Sequence, residues 1–194
     1  MVSILTLGNP RDLRLFHALQ SILLPRGPVL SVCRGKSRIP PGQPSFFLGD
    51  CGLSGRVAGR ALLAVKDTDP LPAILRAGEE SLVILCSHNP QAVRLVASTG
   101  LPAVTCGLSP RDTVTFSSRG KEEGTVALQR PLVLPGGQMV DPGEFPIRFP
   151  PSWDAYTVLC CAAVAALLDG TDRELTLGKP SALMKIFSND PRKN

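Results

Sequence analysis

Short runs of apolar residues alternate along this chain with stretches in which apolar positions recur every three or four residues. The short runs are typical of strands that are buried on both faces of a sheet, and the spaced positions are typical of helices with one buried face. The runs predict strands over residues 2–7, 29–33, 45–48, 62–66, 82–86 and 103–106. The spaced positions predict helices over residues 12–24, 71–77 and 90–98.

The pattern changes after the sixth strand. Three further strands are predicted over residues 113–117, 125–130 and 138–149, and glycine-rich turns between them favour antiparallel pairing. A last helix is expected over residues 152–168, with the Ser152 hydroxyl accepting a hydrogen bond from a free amide of the first turn. This order predicts an α/β fold in three layers. Its mostly parallel sheet has a Rossmann-like or P-loop-like topology and carries a small antiparallel β extension.

Length and composition fit one ordered domain. The chain has 194 residues, of which 43% are hydrophobic and 19% are charged, which is enough apolar surface for a buried core. We assign residues 1–170 to this domain and residues 171–194 to a C-terminal tail of uncertain order. The longest apolar run, residues 157–168, is shorter than the roughly 20 residues that cross a bilayer, and the N-terminus lacks the pattern of a signal peptide. We therefore expect a cytoplasmic protein without membrane contact.

The cysteine and histidine content bears on metal binding and on the redox environment. Six cysteines are present, but none forms a C-x-x-C pair, and the chain has two histidines. Structural zinc sites use such pairs, so no metal site is expected. Because the cysteines mostly lie within apolar segments, they are interpreted as free, buried thiols in a reducing compartment.

The net charge of +5 is concentrated near the N-terminus. Residues 1–60 carry eight Lys or Arg and two Asp, so this segment could face an anionic partner or simply water. Nucleic-acid binding is not expected, because the arginines lie in predicted loops without interleaved aromatic residues.

The turn between the first strand and the first helix is a candidate anion site. Gly8, Asn9 and Arg11 lie there, and helix N-termini attract anions through unpaired amides. The alternative is a plain turn in which Asp12 pairs with a nearby arginine.

Two segments resemble the central, ATP-binding domain of the Mur ligases, the amide-bond-forming enzymes of bacterial peptidoglycan synthesis. "SLVILCSHNPQAVRLVASTGLPAVTCGLSPRDTVTFSS" is similar to the family's strand, Asn/Asp-rich turn, helix, strand and Thr-x-Gly segment. "WDAYTVLCCAAVAALLDG" resembles the Ala-rich helix that closes that domain. The resemblance covers roughly residues 1–170 and implies a degenerate central domain standing alone, because the chain has no room for the two domains that flank it in the ligases.

The resemblance also implies that the catalytic groups have been lost. In the family the first strand leads into a loop ending Gly-Lys-Thr/Ser, which holds the phosphates and Mg²⁺, whereas this chain has Gly8, Asn9, Pro10, Arg11 and Asp12. By the same comparison Asp50 lies near the position of a metal-binding Glu, and Asp69 is followed by Pro instead of His. Ser-His-Asn replaces the Asn-rich turn. The candidate anion- or nucleotide-binding residues are Gly8, Asn9, Arg11, Asp50, Asp69, His88 and Asn89.

Three functions are therefore compared. The first is a non-catalytic Mur-ligase-like binding or scaffold module without a cofactor, which pairs with itself or with another protein such as an active ligase. The second is a domain that binds a nucleotide, such as Mg-ATP, or another anion without hydrolysis. The third is an enzyme of unrelated chemistry with Cys86 as nucleophile and His88 as base; a core cysteine and a loop histidine are the simpler interpretation of these two residues.

Overall fold

The computed structural model describes residues 1–133, 139–170 and 175–177. Its helices are α1 (Arg14–Leu23), α2 (Pro90–Ala97) and α3 (Ala155–Asp169), and a 3₁₀ turn at Leu24–Arg26 follows α1. The strands in the first half are β1 (Val2–Leu7), β2 (Val29–Cys33), β3 (Lys36–Arg38), β4 (Phe46–Gly52), β5 (Leu62–Val65) and β6 (Leu82–Cys86). Those in the second half are β7 (Ala103–Cys106), β8 (Val114–Arg119), β9 (Glu123–Leu128), β10 (Leu132–Val133), β11 (Met139–Val140), β12 (Gly143–Arg148) and β13 (Leu175–Thr176).

Eleven of these strands form one sheet in the order β13-β12-β9-β8-β7-β6-β5-β1-β4-β2-β3. Strands β2, β4, β1, β5, β6, β7 and β8 run parallel to one another. Strands β8, β9 and β12 pair antiparallel, and β3 is antiparallel to β2 at the opposite end. The predicted fold class, a mostly parallel α/β sheet with an antiparallel extension, is confirmed.

Helices lie on both faces of the sheet, because alternate strand residues enter two separate cores. Ile4 and Leu48 point into the larger core with α1 and α3, whereas Leu5 and Leu63 point into the smaller core with α2. The larger core lies between the sheet and the layer of α1 and α3, and the smaller core lies between the sheet and α2. The domain is therefore a three-layer sandwich.

Helix α3 is buried on nearly all sides, as its small apolar residues indicate. The hydroxyl of Tyr156, in its first turn, donates to the backbone oxygen of Val65 and lies 3.4 Å from that of Ile84. Since Val65 ends β5 and Ile84 lies in the middle of β6, this side chain fixes the start of α3 against two central strands.

The helix predicted over residues 71–77 is wrong. The segment is extended, and the Arg76 amide donates to the Gly55 carbonyl at 2.6 Å while the Arg76 carbonyl accepts from Val57 at 2.9 Å. Pro70 and Pro72 contribute no amide hydrogens. Leu75 is still buried in the smaller core, so an extended segment satisfies the apolar spacing that favoured a helix.

Two other predictions need correction. Ser152 does not cap α3; Asp154 does, and its carboxylate accepts from the Thr157 amide at 2.8 Å. The strand predicted over residues 138–149 is divided into β11 and β12 at Asp141 and Pro142, and Gln138 lies outside the described residues. Within the predicted tail, β13 pairs parallel with β12, and residues 171–174 and 178–194 lie outside the described residues.

No helix within the described ranges is long and apolar enough to cross a membrane. All six cysteines are free, and five of them are buried.

Candidate functional site

The turn that follows β1 is packed against neighbouring side chains. Gly8 has φ +125°, a conformation that favours glycine. A Cβ atom at Gly8 would lie 3.0 Å from a methyl group of Leu71 and 3.1 Å from the Cβ of Lys66. The space above this turn is therefore filled by Leu71 and by the stem of Lys66.

The amides of the turn are hydrogen bonded within the chain. The Gly8 amide donates to the Gly52 carbonyl at 2.8 Å, and the Asp12 amide donates to the Asn9 carbonyl at 3.1 Å. The Arg11 amide donates to the side-chain oxygen of Asn9 at 2.9 Å. An anion bound at this turn would have to compete with these intramolecular acceptors.

A buried ion pair lies directly below the turn. The ammonium of Lys66 is 2.7 Å from a carboxylate oxygen of Asp50, and the two side chains are 1% and 3% exposed. The ammonium also donates to the Asn9 carbonyl at 2.9 Å, and the Thr6 hydroxyl donates to Asp50 at 2.8 Å. The sequence analysis missed Lys66, although a lysine that ends an all-apolar strand was a usable signal.

Asp12, at the start of α1, pairs with Arg14 at 2.9 Å and accepts a hydrogen bond from the Thr68 hydroxyl at 2.8 Å. The hydrogen bond from the Arg14 guanidinium holds the pKa of Asp12 well below its usual value, although burial acts in the opposite direction. Arg14 also contacts Asp154 at 3.1 Å. The arginine partner expected for Asp12 in a plain turn is therefore present.

A cavity of about 360 Å³ lies where β5, β6 and β7 end, beneath the start of α3. Its mouth is lined by Asp12, Arg14, Asp67, His88, Leu108 and Asp154, and the thiols of Cys86 and Cys106 lie deeper. A second cavity of about 580 Å³, lined in part by His17 and Trp153, adjoins the first and shares Asp12, Arg14, Asp154 and Thr157 with it. In open parallel sheets ligands bind at the carboxyl ends of the strands, which makes the first cavity the candidate functional site.

Cys86 and His88 both line this cavity, but the environment of the thiol disfavours its ionisation. Burial, together with the nearby Asp67 carboxylate, raises the pKa of Cys86 to about 11. His88 is exposed, and its Nδ1 lies 3.3 Å from the Ser87 hydroxyl. A nucleophilic cysteine needs a lowered pKa, and this site provides the opposite.

The residues singled out in the sequence fall into separate places. Asn9 and Asp69 are in contact, because the side-chain amide of Asn9 donates to the Asp69 carbonyl at 2.6 Å. Asn89 is the N-cap of α2 and accepts from the Gln91 and Ala92 amides. Gly8, Asn9, Asp50 and Asp69 thus belong to the turn region, His88 lies at the mouth of the cavity, and Arg11 is exposed. Within the described part of the chain, no group of three or more His, Cys, Asp or Glu residues could hold a metal ion.

Comparison with known proteins identifies a similar fold. No family model matches the chain, and no curated protein sequence matches it. Several solved structures are similar to it. A UDP-N-acetylmuramate:L-alanyl-gamma-D-glutamyl-meso-diaminopimelate ligase from Neisseria meningitides is similar over 88% of this chain and 62% of its own, with 8% identity and a TM-score of 0.52.

Two more ligases have lower TM-scores. The MurF ligase from Thermotoga maritima, in complex with ADP, has a TM-score of 0.47 and 8% identity over 86% of this chain and 45% of its own. A UDP-N-acetylmuramoyl-L-alanyl-D-glutamate–2,6-diaminopimelate ligase has a TM-score of 0.48 and 12% identity over 88% of this chain and 44% of its own. The chain spans less than two thirds of each ligase. Its fold is similar to that of the Neisseria ligase.

Proposed function

We propose that this chain is a degenerate, non-catalytic Mur-ligase-like domain that acts as a binding or scaffold module and does not carry out ATP-dependent ligation. Its partner is another protein or a second copy of the chain. The observation that supports this proposal best is that the turn after β1 is closed: its amides are hydrogen bonded within the chain, and the space above it is filled by side chains.

Binding of a triphosphate at such a turn depends on free amides, a free cation and a metal ligand. The Lys66 ammonium contacts the turn at the Asn9 carbonyl, and its charge is neutralised by Asp50. Arg11, in the turn itself, is exposed. The amides of Gly8, Arg11 and Asp12 already donate to acceptors of the chain. Opening this arrangement for a phosphate would leave the Asp50 carboxylate buried and unpaired, which is energetically costly.

The first test is calorimetric titration of the purified chain with Mg-ATP and with ADP, combined with an assay for phosphate release. We expect neither saturable binding nor hydrolysis at millimolar nucleotide. Saturable binding that is unchanged in Arg11→Ala would contradict the expected lack of nucleotide binding and favour a nucleotide site away from the turn. Binding that is lost in Arg11→Ala would favour the anion-binding alternative, and amide-bond formation with ATP consumption would overturn the proposal altogether.

The second test addresses the scaffold role. Light scattering after size exclusion gives the mass of the purified chain, and affinity purification from the native host identifies associated proteins. We expect either a stable oligomer or one protein recovered in a fixed ratio. A monomer over a wide concentration range that is recovered alone would contradict the scaffold role.

A further inference from the structure

The cavity at the ends of β5, β6 and β7 combines an apolar interior with a charged mouth. Leu15, Leu159 and Cys106 contribute buried surface to its wall, and Leu108 at the mouth is 60% exposed. Its volume of about 360 Å³ lies at the small end of the range for ligand pockets. A large exposed leucine beside a cavity provides apolar surface that a ligand can cover.

The charge at the mouth is negative. Three carboxylates, of Asp12, Asp67 and Asp154, line the cavity together with one exposed cation, Arg14. Lys66 also lies on its wall, but its charge is neutralised by the buried Asp50. A site of this sign repels phosphate and attracts cations.

Asp67 is the carboxylate best placed to receive a ligand. Asp12 and Asp154 are both in salt bridges with Arg14, at 2.9 and 3.1 Å. In contrast, Asp67 forms no salt bridge within the described ranges of the chain. Its side chain is exposed at the mouth, where it contacts the Cys86 thiol, a weak donor, and lies within electrostatic range of the Arg14 guanidinium without forming a salt bridge with it.

The negative charge at the mouth of the cavity is opposite in sign to the net charge of the protein. The chain carries a formal net charge of +5, so a small cation is repelled by the molecule as a whole. Binding of a cation therefore requires a local negative site and cannot follow from general electrostatic attraction.

We propose that this cavity binds a small organic cation, a primary amine with a short apolar body. The ammonium pairs with Asp67, and the apolar body covers Leu108 and enters the cavity. This proposal deepens the binding role proposed above and rests on it. The ammonium can belong to a free amine or to a lysine side chain of a partner protein, since both present the same group on an apolar stem.

The test is a two-dimensional NMR titration of the ¹⁵N-labelled full chain with pentylamine, pentanol and pentanoate, which share a chain length and differ in charge. We expect pentylamine to produce saturable shifts at the amides of Asp67, His88, Leu108 and Ala155. Pentanol should bind less tightly and pentanoate not at all. Equal effects of all three compounds, or shifts confined to other regions, would overturn the proposal.

Two variants and a control assign the effect to the charge. Asp67→Asn is expected to weaken pentylamine binding about three- to fivefold, as for the loss of one partly exposed ion pair. Glu79→Gln makes the same change at an exposed position preceding β6, at the opposite edge of the sheet, and should leave the affinity unchanged. Leu108→Lys places a competing ammonium at the mouth and should abolish binding. Unchanged affinity in either Asp67→Asn or Leu108→Lys would overturn the proposal.

A final arm separates the two sources of the ammonium and the two proposals. A short peptide with one central lysine is titrated beside its norleucine counterpart; tighter binding of the lysine peptide than of pentylamine favours a protein partner, and weaker binding favours a free amine. Mg-ATP is titrated under the same conditions. If neither the amines nor Mg-ATP bind, the cation site is contradicted and the proposed function is not. If Mg-ATP binds, the proposed function is contradicted.

Discussion

The ammonium of Lys66 and the carboxylate of Asp50 lie 2.7 Å apart across β1, because β4 and β5 flank that strand in the sheet. Thr6 of β1 donates its hydroxyl to the same carboxylate oxygen. One buried ion pair therefore connects three neighbouring strands at the edge where the turn begins, and it provides that turn with a cation from within the protein.

Removing the lysine should destabilise the fold strongly. Lys66→Met leaves the Asp50 carboxylate buried without its ion partner, and such a change costs about 3–5 kcal/mol. The measurement is the free energy of unfolding in urea. Lys36→Met, which removes a charge from the exposed strand β3, should stay within about 0.5 kcal/mol of the wild type.

The double variant Lys66→Met with Asp50→Asn separates the ion pair from loss of packing. Because no unpaired charge remains, the loss should be smaller than the sum of the two single losses. Simple additivity would show that the two groups do not interact energetically.

The stability contributed by Asp12 should depend on pH. Hydrogen bonding from Arg14 lowers its pKa in the folded state, so the unfolded chain binds more protons at this site when the pH falls below about 4. The contribution is therefore fully present above about pH 4 and is lost progressively at lower pH. Thermal denaturation should show a difference between wild type and Asp12→Asn that is largest near neutral pH and shrinks in acid. Asp141→Asn, which makes the same change at an exposed position, is the matched control.

Cys86 should react slowly with iodoacetamide in the native protein. Since burial raises the pKa of this thiol to about 11 and the thiolate is the nucleophile, little modification is expected at pH 7.5, with a rate that increases towards pH 11. Mass spectrometry after timed quenching gives the rate, and unfolded protein serves as the reference. Rapid modification near neutral pH that is slowed by His88→Gln would instead support the hypothesis of a cysteine enzyme.

The start of α3 provides a matched pair of variants. Asp154→Ala removes the acceptor for the Thr157 amide and should cost about 1–2 kcal/mol. Ser152→Ala should cost less than about 0.5 kcal/mol, because Ser152 does not form the cap. Comparable losses in both variants would contradict the assignment of the cap.

Most of the strands could be predicted because each signal is local. Apolar runs such as residues 82–86 are short, continuous and bounded by turn residues, which is the pattern of a strand covered on both faces. The spacing of Leu71 and Leu75 was misleading, because an interval of four residues fits a helix and also an extended segment whose amides pair with another loop.

The candidate site could be predicted only in part, because its contacts are not local. The pairing of Lys66 with Asp50 depends on the strand order β4-β1-β5, which no periodicity specifies. The mouth of the cavity is likewise formed by segments far apart in the sequence, since Arg14 joins Asp12 to Asp154. The turn residues could be recognised from their place between a strand and a helix. That Lys66 contacts this turn could not be predicted, because it follows a different strand.

Strand β3 restricts how two copies of this chain can associate. It ends the sheet on one side, and it has three residues, two of which are Lys36 and Arg38. Extending the sheet across this border into a second copy would bring basic side chains of both molecules next to each other, an arrangement that natural proteins use to prevent such pairing. A homodimer of this protein should therefore be built through its helices and loops, and not as one continuous sheet joined at β3.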